Sequence, residues 1–216
     1  MRTVHLVNPN TSAATTAMML ARAREAAPAS FSIEGLTAEF GPPMITEPQA
    51  LAAATDAVMQ LVPHLVGDGV IVAAFGDPGA DRLASVLSVP VIGIGAAAIR
   101  AAGRGGRRFA IVTTTPALDA PIRARVGQLG FAGGLASLRV TTGDPAALVA
   151  DPVRLEAALR ALVRQCVEQD GAEAIVVGGG PLADAARALA TSSTVDIIEP
   201  VAAAVAAMAC ALNASP

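Results

Sequence analysis

Short, continuous apolar runs alternate along the chain with longer Ala-rich stretches. The runs are TVHLV (3–7), FSIEGLTA (31–38), GVIVAAF (69–75), PVIGI (90–94), FAIVTT (109–114), LASLRVT (135–141), AEAIVVG (172–178) and TVDII (194–198). Several are unbroken and β-branched, the pattern of strands buried on both faces of a parallel sheet. The stretches between them carry helix boundaries. NTS (10–12) caps a helix from about Ala13, and Asp151-Pro152 opens another with proline in its first turn. In that second helix Leu155, Leu159, Leu162, Cys166 and Val167 share one face. The alternation predicts an α/β fold with right-handed crossovers.

The pattern also repeats. HLVNPNT corresponds to AIVTTTP, IVAAFGDP to VVGGGPLA and GIGAAA to IEPVAAA, all at one offset of 105 residues (Asn8 to Thr113, Ala74 to Gly179, Ala97 to Ala202). Three matches at one offset, each at a strand end, predict two pseudo-symmetric halves, each a mainly parallel sheet flanked by helices. Residues 1–97 with 200–216 form the first half, and 98–199 the second. Ligands of open α/β sheets bind beyond the carboxyl ends of strands. Two such ends facing each other make an active-site cleft between the halves.

Composition narrows the chemistry. Of 216 residues, 53% are hydrophobic and 15% charged, which predicts large buried surfaces and a homo-oligomer. The net charge of −3 gives no electrostatic case for nucleic acid. All 15 basic residues are Arg, so a lysine Schiff base or phosphate-loop lysine is impossible. The apolar segment 201–212 is too short for a membrane span, which needs about 20 residues. The two cysteines and the absence of a signal-peptide pattern predict a cytoplasmic protein.

The strand ends supply the candidate site. Asn8, Asn10 and Thr11 offer amide and hydroxyl groups at a helix start, suited to a carboxylate or imide and equally to plain N-capping. In AAFGDPG the turn is Ala74, Phe75 and Gly76, followed by Asp77, whose first reading is an N-cap before Pro78 and whose second is an acid/base. Thr113 and Thr114 end another strand, and Gly179 and Gly180 leave backbone N–H groups open as an anion nest. Glu47 reads as a first-turn helix acid and, more remotely, as a base. His5 reads as a hydrogen-bonded core histidine and His64 as a helix-end residue. Cys166 and Cys210 read as packing thiols. No spacing of His, Cys or carboxylates suggests a metal site.

Taken together and in order, VNPNTS, FGPP (40–43), AAFGDPG, GIGAAA, FAIVTT and VVGGGPLADAA resemble the aspartate/glutamate/hydantoin racemase superfamily, most closely its hydantoin and allantoin racemase branch. The resemblance spans nearly the whole chain. It implies two α/β halves around one cleft, a small-molecule substrate and no cofactor. It also implies two cysteines flanking the substrate α-carbon, one removing a proton and the other returning it. Those positions here are Ala74 and Gly179. The expectation is therefore a racemase- or isomerase-like enzyme for a small carboxylate, amide or hydantoin by a non-thiol route, with Asp77 and Glu47 as candidate acid/base groups. An unperturbed Asp is about 4.6 pKa units less basic than Cys, so Asp77 needs burial to serve. The alternatives are a binding protein without turnover, and a lyase, decarboxylase or hydrolase built on the same cleft.

Overall fold

A computed structural model describes residues 1–214; residues 215–216, assigned from sequence to the first half, lie outside the described residues. The first sheet joins β1 (Arg2–Asn8), β2 (Phe31–Thr37), β3 (Gly69–Val72) and β4 (Val91–Gly93) in the order β2-β1-β3-β4. The second joins β5 (Phe109–Thr113), β6 (Leu135–Val140), β7 (Ala174–Val177) and β8 (Asp196–Ile198) in the order β6-β5-β7-β8. Every pairing is parallel. The two orders are the same, and β3 and β4 reappear as β7 and β8 at the offset of 105 residues read from the sequence. All residues of β3, β5 and β7 are buried, which is why these strands read as unbroken apolar runs.

Helices cover both sheets. α1 (Ala13–Ala26) starts on Ser12, whose hydroxyl accepts the Thr15 N–H. α2 (Pro48–Gln60), α3 (Ala80–Val86) and α4 (Ile94–Ala102) follow in the first half of the chain. α5 (Asp119–Gln128), α6 (Pro145–Val149), α7 (Pro152–Glu168), α8 (Ala183–Ala190) and α9 (Pro200–Ala214) complete the set. The Asp151 carboxylate caps α7 by accepting the Arg154 N–H. α4 serves both halves. Its Ile94 and Ala97 join the first core, while Ala98, Ile99 and Ala102 pack with Phe109, Ile111, Ala174 and Val176. α9 returns to the first sheet, placing Val201, Ala204, Val205, Met208 and Leu212 against Val4, Leu6 and Ile71. No helix among the described residues is long and apolar enough to cross a membrane.

α4 starts without a capping side chain of its own, because its N-cap is Gly93. The cap comes from Asp77. One carboxylate oxygen accepts the Gly95 N–H (2.7 Å) and the other the Ala96 N–H (2.8 Å). The second oxygen also accepts from Arg125 Nε of α5 at 3.2 Å. The geometry needs Gly93, since a Cβ there would stand 2.3 Å from Asp77 Cγ. Asp77 itself takes φ 50, a left-handed conformation that Asp tolerates better than most residues. It does not cap α3, as its place before Pro78 suggested; that N-cap is Gly79. Two other expectations change. His5 is buried, but neither ring nitrogen has a hydrogen-bond partner, and Glu34 lies 3.9 Å away. Cys210 is exposed on α9, whereas Cys166 is buried.

Two carboxylates give measurable outcomes. Asp77→Ala leaves Arg125 without its buried counter-charge and α4 without its cap, and the loss in urea-derived stability is expected to be about 3–5 kcal/mol. Asp170 receives Arg139 Nε (2.7 Å) and the Ser137 hydroxyl (2.6 Å). The Arg139 hydrogen bonds, helped by Ser137, lower its pKa to about 2. Its contribution to stability is complete above the unfolded value of about 3.9 and disappears as pH falls through about 2. The urea midpoint of Asp170→Asn is expected to fall less steeply than wild type over that window.

Candidate active-site cleft

The carboxyl ends of β1, β3, β5 and β7 converge on one cleft. Asn10 comes from the first, Ala74–Gly76 from the second, Thr113–Thr115 from the third and Gly178–Gly180 from the fourth. The positions related by the repeat, Ala74 and Gly179, both line it. Of the residues singled out from sequence, Asn10, Ala74, Phe75, Gly76, Thr113, Thr114, Gly179 and Gly180 are brought together here.

Asn8 and Thr11 do not line the cleft. Asn8 is fully buried, and its side-chain N–H2 donates to Asn10 Oδ1 (2.9 Å) and Thr16 Oγ1 (3.0 Å). The Thr11 N–H donates to the Pro42 carbonyl, which holds the FGPP segment against the turn. These bonds orient Asn10. Its Oδ1 also accepts the Ser12 N–H at 2.9 Å, and a backbone N–H can only donate. The Asn10 oxygen is therefore committed, and its N–H2 is left for the cleft without a protein acceptor. Across the cleft the Thr113 and Thr115 hydroxyls lie 3.2 Å apart, and the Thr114 hydroxyl has no protein partner.

The turns add backbone donors. The Ala74 carbonyl accepts the Asp77 N–H and the Gly179 carbonyl accepts the Leu182 N–H, closing each turn. The N–H groups of Ala74, Phe75, Gly76, Gly179 and Gly180 donate to no protein acceptor. Unpaired N–H groups crowded at strand ends favour an oxygen that carries, or develops, negative charge. Gly179 makes this possible on its side, with φ 143 and ψ 129, a region that side-chain-bearing residues rarely enter.

No side chain among the described residues lining the cleft is titratable. Asp77 and Glu47 do not line it. Asp77 spends both carboxylate oxygens on α4 and Arg125; burial pushes its carboxyl above the ordinary range, and Arg125 and the two amides pull the other way. Glu47 is an exposed residue at the N-cap position of α2 with no side-chain capping bond. Neither cysteine lines the cleft; Cys166 sits on α7 beside Ser137, and burial pushes its thiol up. No group of three or more His, Cys, Asp or Glu among the described residues is placed to hold a metal ion.

Apart from Thr15, the rest of the wall is apolar and was missed from sequence. Met44, Ile45 and Leu51 close one side, and Leu118, Pro121, Ile122 and Val149 the other. The available signal was Met44-Ile45, an apolar pair inside an otherwise turn-like segment after β2. Such a pair in a loop has no core strand or helix to explain it.

Known proteins are similar to this chain over nearly its whole length. The curated hydantoin racemase of Rhizobium meliloti is 30% identical over 205 residues, covering 94% of this chain and 85% of that protein. The hydantoin racemase of Paenarthrobacter aurescens is 29% identical over 203 residues, covering 92% and 86%. The solved allantoin racemase of Klebsiella pneumoniae superposes with a TM-score of 0.92 at 31% identity, covering 97% of this chain and 87% of that one. The model of the family described as Asp/Glu/Hydantoin racemase matches residues 4–208. The chain belongs to the Asp/Glu/hydantoin racemase family.

Proposed function

We propose that the chain is a cofactor-independent racemase- or isomerase-type enzyme for a small amino-acid-derived amide, hydantoin or carboxylate, working by a non-thiol route. The carrying observation is the set of unpaired donors on both sides of the cleft, Asn10 N–H2 and the amides of Ala74–Gly76 and Gly179–Gly180. They suit a substrate carbonyl or carboxylate whose oxygen becomes more negative when the α-carbon loses its proton. The α C–H bond breaks, the electron pair moves onto the held oxygen, and the proton goes to water. A proton returned from water on the other face gives the opposite configuration. The protein supplies orientation and charge stabilisation, and one oxyanion donor is worth about 10²–10³ in rate. It forgoes side-chain acid–base catalysis, worth about 10²–10⁴, so turnover is expected to be slow.

The absence of any titratable lining side chain among the described residues favours a second reading, binding without turnover. The test uses single enantiomers of 5-substituted hydantoins, allantoin and amino acids in D2O, with α-proton exchange followed by NMR and binding by thermal shift. Exchange above the buffer rate, together with saturable stabilisation, supports the enzyme. Stabilisation without exchange selects the second reading. Neither effect with any compound overturns both. For any compound that binds, Asn10→Ala is expected to weaken the affinity about 3- to 10-fold, the worth of one hydrogen bond. Thiol replacement is expected to be unequal. Ala74→Cys enters without a positive-φ penalty, whereas Gly179→Cys is strained at φ 143 and is expected to cost about 1–3 kcal/mol of stability in urea unfolding.

A further inference from the structure

The cleft is smaller than the space that opens beside it. Its cavity is about 70 Å³. That is room for roughly five to seven water-sized groups, enough for a ring or planar amide but not for a long substituent as well. A second cavity of about 400 Å³ lies between α1, α7 and α8. The two share Thr15, Val149 and Pro181. Pro181 directly follows Gly180, whose open N–H is one of the cleft donors. Their Cα atoms are one trans peptide apart, about 3.8 Å. The junction therefore begins one residue from where a carbonyl is held.

The junction is apolar. The Thr15 hydroxyl donates to Ser12 Oγ at 2.9 Å, and proline carries no N–H. Beyond it Ala14, Met18, Pro152 and Leu155 add apolar surface. The charged side chains among the described residues lining this groove are Glu156 and Asp184, both acids. Each gives one oxygen to an arginine, Glu156 to Arg160 at 2.6 Å and Asp184 to Arg22 at 3.5 Å, and keeps its other oxygen outside that pair.

We infer that this groove holds the substituent of the ligand whose carbonyl the cleft holds, and that it selects a long apolar chain ending in a cation. The inference rests on the reading of the cleft's open N–H groups as carbonyl donors. Burying one CH2 is worth about fourfold in affinity, and in a groove open to solvent about half of that burial is realised, or about twofold per CH2. An ammonium at the chain end gains less, because an exposed ion pair is worth at most about fivefold. A carboxylate in its place meets two like charges. Chain length is the larger effect and terminal charge the smaller.

The test measures Kd by titration calorimetry for hydantoins that differ only at C5, carrying methyl, pentyl, 4-aminobutyl or 3-carboxypropyl. The pentyl compound is expected to bind at least about tenfold tighter than the methyl compound. At low salt the aminobutyl compound is expected to bind at least about threefold tighter than the carboxypropyl compound. Ala14→Trp, at an exposed position of the groove outside the cleft lining, is expected to remove the gain from length and leave the methyl compound's Kd unchanged. Asp184→Asn is expected to narrow the difference between the two charged compounds. Equal affinity for methyl and pentyl overturns the inference and leaves the reading of the cleft in place, whether or not Ala14→Trp folds. A gain from length that survives in folded Ala14→Trp does the same. Equal affinity for the two charged compounds overturns the cationic end. Binding by no member of the series overturns the reading of the cleft and this inference with it.

Discussion

A single buried carboxylate ties together most of what shapes this cleft. Asp77 accepts two N–H groups from the start of α4 and the guanidinium of Arg125 from α5. Its own N–H closes the turn on the Ala74 carbonyl. The turn, the helix that passes from one core to the other, and a helix of the opposite half are thereby fixed relative to each other. The unpaired amides of Ala74–Gly76 hold their positions because this group is fully occupied. It is a helix-capping acid, the role that the sequence puts first, but it caps α4 and not α3.

α9 solves the same problem with a different residue. Glu199 accepts the N–H groups of Val201 and Ala202 at 2.8 and 2.7 Å and so starts α9. Burial pushes its carboxyl up, against the pull of those two amides. At the offset of the repeat, Asp77 corresponds to Leu182 and Glu199 to Ile94. The symmetry thus belongs to the backbone, and α4 and α9 start on different side chains from positions that the repeat does not relate.

This division explains what was legible in the sequence. β3, β5 and β7 could be read because they are buried along their whole length and apolar or β-branched throughout, and the offset of 105 residues was visible because β3/β7 and β4/β8 keep equal spacing. The polar groups of the cleft could be read because they follow strand ends. The role of Asp77 could not, because its partners lie 18 and 19 residues onward at Gly95 and Ala96, and on another helix at Arg125. Local chemistry pointed to Pro78 and α3. The apolar wall was hidden for a related reason. Met44, Ile45 and Val149 come from loops and helix ends whose places are set by the assembled halves. His5 misled in the opposite direction, since burial did not bring it a partner.

The backbone at Gly179 sets the two empty positions apart. At Ala74 the difference from a thiol is one sulfur atom on a side chain that already has its Cβ. At Gly179 the chain itself has settled at φ 143, a shape that leaves the amide open and turns a Cβ into a burden. One substitution is a matter of side-chain chemistry, and the other would require the turn to be redrawn. A side chain can be exchanged at the first position with the backbone left alone, whereas at the second any side chain is tied to a change of backbone.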